Sequence, residues 1–234
     1  MKKLAFLLIF LSLGDYATAG VMPSRSRVVY SEGSREQSLM LANTNAYPVI
    51  VQTWIDNGEG TPDAKSIPFV SVPPVLRFEP QGIKGVRIIY NHTMLPSNRE
   101  SLFWFNIYEI PPENKDDTRE NNVLVTMNTQ IKLFYRPAEV HITPEEAMPK
   151  VTCLRTDTRM LQCHNPSPIH LSVIGAKIHY VSGSIGVLNT DLLMKPLASN
   201  TLNFIRDIPD VFSVELRYVN DTGEQTTYTL KTDK

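Results

Sequence analysis

The sequence predicts an all-β protein built from two packed-sheet domains. Three observations lead there. Seventeen prolines among 234 residues, with scattered valines, leave few windows for a long 3.6-residue apolar period. Short apolar alternations recur between turn signals, which is the pattern of a β-sandwich. Once a leader is set aside, the length suits two domains of about 100 residues each better than one large one.

The chain opens Met1-Lys2-Lys3, then an apolar run over residues 4–13 and a small-x-small site at Ala17-Thr18-Ala19. The run is too short to span a bilayer, so residues 1–19 read as a cleaved signal peptide and the mature chain starts near Gly20. No later stretch is apolar for long enough to cross a membrane. Strands are expected over 21–31, 38–43, 49–55, 69–72, 75–78, 86–90 and 102–110, the last dense in aromatics. The tract Asp56-Asn57-Gly58-Glu59-Gly60 is a loop, and prolines hedge the two short strands after it.

A hydrophilic loop over 113–122 leads into the longest alternation, residues 123–137, V-L-V-T-M-N-T-Q-I-K-L-F-Y-R-P. Its odd positions are apolar except Thr129, and no charge interrupts it before Lys132. Such a strand is an aggregation liability at a sheet edge. Either one face is buried in its own domain, or another protein covers it. Residues 139–149, rich in proline and acids, read as a linker between a first domain at 20–138 and a second at 150–234. The second domain shows a hairpin over 151–164 and strands at 171–181, 202–205, 211–219 and 226–230.

Cys153 and Cys163 are the two cysteines, separated by a polar turn at Asp157-Thr158-Arg159. If the hairpin pairs symmetrically about Thr158 they fall opposite each other. A cross-strand disulfide is then expected in an oxidising compartment, contributing about 2–4 kcal/mol. A metal pair is the weaker alternative, because two thiols alone make no tetrahedral site. The net charge of −1 argues against a general nucleic-acid binder. The five histidines show no zinc spacing, and no nucleophile elbow or phosphate loop appears, so no enzyme activity and no cofactor are expected. His164 and His170 flank the Asn165-Pro166 turn and could suggest copper, but solvated loop histidines are the simpler expectation.

Residues 95–112 carry a resemblance. Leu95-Pro96, Asn98-Arg99-Glu100-Ser101-Leu102, Trp104, Asn106-Ile107 and Ile110-Pro111-Pro112 resemble the signature of the periplasmic pilus-assembly chaperones of the chaperone–usher pathway. Residues 27–30 resemble the first strand of that family, residues 131–137 its G1 strand, and Asn165-Pro166-Ser167-Pro168 the opening of its second domain. The resemblance implies two immunoglobulin-like sandwiches set at an angle about a cleft. It further implies pilus subunits and an outer-membrane usher as partners, and a periplasmic location.

By position, Arg27 and Lys132 match the cations that anchor a subunit's C-terminal carboxylate, for which a guanidinium fork and a compact ammonium are suited. Arg25 is a competitor, two residues away on the same strand face. Val123, Val125 and Met127 match the side chains lent to the subunit by donor-strand complementation, each worth about 1.5–3 kcal/mol on burial. Lys132 has the opposite parity, so either the cleft receives that face or a bulge intervenes. Glu100, Arg136 and Asp221 match the acid–base–acid set that fixes the domains' orientation. The cysteine pair departs from the family pattern, and the short 113–122 loop resembles the subfamily serving rod-like pili. The competing function is a secreted two-domain adhesin or a pilus structural subunit, though the mature chain has no donor extension before its first strand.

Overall fold

A computed structural model describes residues 20–112 and 125–231. The signal-peptide reading, the 113–122 loop and Val123 lie outside those residues. In the first domain, β1 (Val21–Pro23), β3 (Gln37–Asn43), β7 (Ile83–Tyr90) and β5 (Phe69–Val72) form one sheet in the order β1-β3-β7-β5. The second sheet runs β2-β9-β8-β4-β6, from β2 (Arg27–Ser31), β9 (Met127–Arg136), β8 (Ser101–Ile110), β4 (Val49–Asp56) and β6 (Val75–Phe78). All pairings are antiparallel except β2 with β9, which is parallel.

The alternating residues of both sheets meet in one core. Val28, Tyr30, Leu39, Leu41, Val51, Phe78, Val86, Ile88, Phe105, Ile107 and Leu133 are all buried there. Tyr30 meets Phe69 edge-on at 5.3 Å, and Tyr90 meets Tyr135 at 4.8 Å, the offset geometries that aromatic quadrupoles favour.

The stretch expected as one strand over 21–31 is two. The chain bends at Ser24-Arg25-Ser26 and passes from the first sheet to the second. That bend removes Arg25 from the face it was expected to share with Arg27. The 123–137 strand is likewise shorter than its pattern: residues 125–126 are described but unpaired, and β9 begins at Met127.

The second domain has its own core, including Leu161, Cys163, Ile169, Leu171, Ile178, Met194, Val214 and Leu216. One sheet is β10 (Thr152–Asp157), β11 (Met160–Asn165) and β15 (Ala198–Asn203). The other runs β13 (Gly183–Gly186), β12 (Leu171–Tyr180), β16 (Ser213–Val219), β17 (Gln225–Lys231), with β14 (Leu193–Met194) also on β12. Strands β13 and β14 are additions to the sequence expectation. Cys153 and Cys163 pair directly across the hairpin and are disulfide-bonded.

Residues 139–149 are not a free tether. Val140, Ala147 and Met148 are buried in the second core. Thr143-Pro144-Glu145-Glu146 closes a capping box on the helical turn α1 (Pro144–Ala147): the Thr143 N–H donates to Glu146 Oε2 at 2.9 Å, and the Glu146 N–H returns to Thr143 Oγ1. Among the described residues no helix is long and apolar enough to cross a membrane.

Candidate functional site

The site grows from the two faces of β9. Its pairing with β8 runs from Met127↔Glu109 to Tyr135↔Ser101 without a shift, so no bulge lies between Met127 and Lys132. Odd residues Ile131, Leu133 and Tyr135 therefore fill the first core. Even residues face the other way: Asn128 and Gln130 bond Asn106 of β8, and the residues further along meet the second domain. Phe134 lies against the His170 ring at 5.5 Å, and Arg136 reaches Asp221. Lys132 shares the parity of Phe134 and Arg136, opposite to the core-facing odd residues.

Parallel pairing sets Arg27 opposite Lys132. The Arg27 side chain is buried, donates from Nη1 to the Val219 carbonyl at 2.8 Å, and its Nε finds no acceptor among the described residues. Lys132 Nζ stands 5.4 Å over the ring of Trp104, its cross-strand partner on β8. The loop after β4 holds that ring in place. Gly58 has φ +109°, and a Cβ built there would meet Trp104 Nε1 at 3.0 Å, so only glycine lets the backbone lie on the indole. Asp56 fastens the loop by accepting from the Gly58 and Gly60 N–H groups, each at 2.8 Å.

Burial pushes the Arg27 guanidinium below its ordinary range, opposed by Asp221 through space. Burial, then the charge of Arg27, pushes the Lys132 ammonium down, with Asp191 opposing. No carboxylate among the described residues hydrogen-bonds or ion-pairs with either cation. A buried and a half-buried like charge set side by side cost stability, and an anion placed between them would offset that cost.

Below this pair lies a fully partnered network. Arg136 Nε donates to Glu100 Oε1 at 2.7 Å, while Nη1 and Nη2 grip Asp221 at 2.6 and 3.0 Å. Glu100 Oε2 also accepts the His170 N–H at 2.7 Å, and the Glu100 N–H reaches the Pro168 carbonyl. Arg136 and Glu100 come from the first domain; His170, Pro168 and Asp221 come from the second. The side chain of His170, expected to be solvated, is instead buried against Phe134 and Glu100. Sequence reasoning missed Trp104 and His170 as site neighbours. Trp104 had a signal, because pairing it with Lys132 follows from aligning the expected strands at 102–110 and 123–137 as neighbours.

The open part of β9 completes the site. β2 covers its outer edge only at residues 132–136, so residues 127–131 pair with β8 alone. Val125 is 77% exposed and Met127 46% exposed.

Two immunoglobulin-like sandwiches with an open edge strand running into an interdomain cation pair define a class, the pilus-chaperone fold. The comparisons agree. Residues 20–141 match the family model of the pili and flagellar-assembly chaperone PapD N-terminal domain, and residues 146–230 that of its C-terminal domain. The chain therefore belongs to the fimbrial chaperone family of the chaperone–usher pathway. That family is not enzymatic, and the match across both domains sets aside the adhesin or pilus-subunit alternative.

Relatives include the chaperone protein FimB/FhaD of Bordetella pertussis, 31% identical over 93% of this chain and 90% of that protein. The chaperone protein FocC of Escherichia coli is 33% identical over 95% and 93%. The solved complex of the Salmonella enterica SafA pilin with the SafB chaperone matches at TM-score 0.77 and 26% identity, covering 91% of this chain and 96% of that one.

Proposed function

We propose that the mature protein is a periplasmic chaperone that binds pilus subunits by donor-strand complementation and delivers them to an outer-membrane usher. The observation that carries this reading is the continuity of an unpaired strand edge, residues 127–131, with the Arg27–Lys132 pair one step further along the same strand. A subunit lacking a strand adds its backbone to that edge, and Val123, Val125 and Met127 fill its groove. Its terminal carboxylate, ionised at neutral pH, neutralises the two cations and sets the register. Glu100, Arg136 and Asp221 hold the second domain at the angle that keeps the cleft open. The SafA–SafB complex, a pilin held by a chaperone of this fold, supports pilus subunits as partners.

Co-expression with a pilus subunit of the same strain tests the anchors. Arg27→Ala and Lys132→Ala should each abolish recovery of the subunit from periplasmic extracts while the chaperone itself stays folded. Undiminished recovery with either variant would overturn the carboxylate anchor.

A further inference from the structure

Three hydrogen bonds tie down Gly20 and Val21. The Gly20 carbonyl accepts the Thr44 N–H at 3.0 Å and the Thr44 hydroxyl at 2.7 Å. The Val21 N–H donates to Glu109 Oε2 at 2.9 Å. Gly20 has φ +77°, and a Cβ there would lie 2.6 Å from Glu109 Oε2 and 3.1 Å from the Met127 methyl. Neither the backbone conformation nor the space admits a side chain.

Glu109 is the unusual partner. It is only 7% exposed, and its other oxygen accepts from Asn45 Nδ2 at 2.8 Å. Its donors are neutral amides, and among the described residues no lysine, arginine or histidine pairs with it. A carboxylate withdrawn from water in this way calls for a cation.

We propose that the cation is the chain's own α-ammonium, created at Gly20 when residues 1–19 are removed. A signal peptidase hydrolyses the Ala19–Gly20 amide with water, leaving a carboxylate on Ala19 and an amine on Gly20 that takes up a proton. Standard backbone lengths place that nitrogen within about 5 Å of Glu109 Oε2, in reach of a small side-chain rotation. Before the cut it is a neutral amide, and Glu109 lacks its ion pair. Processing thereby completes a buried contact at the root of the strand with the open edge, since Met127 pairs with Glu109 across β8 and β9 and its methyl packs on Gly20. The inference rests on the processing site read from the sequence, not on subunit binding.

Intact mass of periplasmic protein should first place the mature N-terminus at Gly20; any other start overturns the proposal. Urea unfolding then compares this chain with one beginning two residues earlier, at Thr18, each with and without Glu109→Gln. The extension should lower the folded-to-unfolded ratio about tenfold with Glu109 present and less than threefold in the E109Q background. An equal loss in both backgrounds contradicts the ion pair. Acylation of the α-amine at neutral pH provides a readout that needs no variant. It should be at least tenfold slower in the native chain than in urea, and equal rates would refute the contact.

Discussion

Lys132→Met removes one charge of the Arg27–Lys132 pair and leaves an unbranched chain of similar reach lying on Trp104. If a subunit's carboxylate is held between two partly buried cations, deleting one leaves the anion half-compensated, which costs about 2–5 kcal/mol, or roughly 30- to 5,000-fold in Kd. Free stability should move the other way. Burial and Arg27 depress the folded-state pKa of Lys132 below the 10.5 of an unperturbed lysine. The unfolded chain thus binds the proton more tightly than the folded one. The contribution of Lys132 to stability is unfavourable at neutral pH and rises as pH climbs from the lowered value toward the unfolded one. Replacing the ammonium with a thioether removes that penalty.

Calorimetric titration with a C-terminal peptide of a pilus subunit, as free acid and as amide, reads the first effect; urea unfolding at pH 7 reads the second. The parent should prefer the acid strongly, and the variant much less, with a urea midpoint no lower than the parent's. In the parent, affinity for the acid should fall with rising pH before an unperturbed lysine would lose its proton. Binding of the acid within threefold of the parent would refute the reasoning.

Val125→Glu places a charge on a side chain that is 77% exposed in the free protein, so thermal stability should stay within about 0.5 kcal/mol while subunit capture is lost. A collapse in Tm would instead make Val125 part of the fold. Arg136→Met strips its cation from Glu100, whose side chain is 1% exposed, and from Asp221. It should cost about 3–5 kcal/mol by urea unfolding and broaden the interdomain angle seen by solution scattering. A loss under 1 kcal/mol would show that the network does not hold the domains.

Much of the fold was legible because local chemistry and tertiary structure agree. The expected strands 69–72 and 75–78 match β5 and β6 to the residue, since Pro68, Pro73, Pro74 and Pro80 leave no freedom at their ends. Other features needed the partner strand. β13 is a short Gly-Ser-Ile-Gly segment whose strand character comes from pairing with β12. Arg25 and Arg27 looked equivalent by parity until the sheet switch at residues 24–26 separated them. The capping box over residues 143–146, by contrast, was present in the sequence and was read only as linker composition.

The long alternation at residues 123–137 offered two readings, core strand or surface awaiting a partner, and its described part is buried at one end and exposed at the other. Apolar residues recur at nearly every odd position, yet among the described ones only those from Ile131 onward are buried in the sandwich. Period reports a face, not what covers it. The same limit hid His170, whose burial depends on two domains meeting.

Amide hydrogen exchange along β9, with and without a bound pilus subunit, tests strand lending most directly. The outward amides of residues 127–131, open in the free protein, should become protected on binding, together with those of the chain entering β9. Protection elsewhere on the chaperone, with these amides exchanging as fast as before, would contradict it.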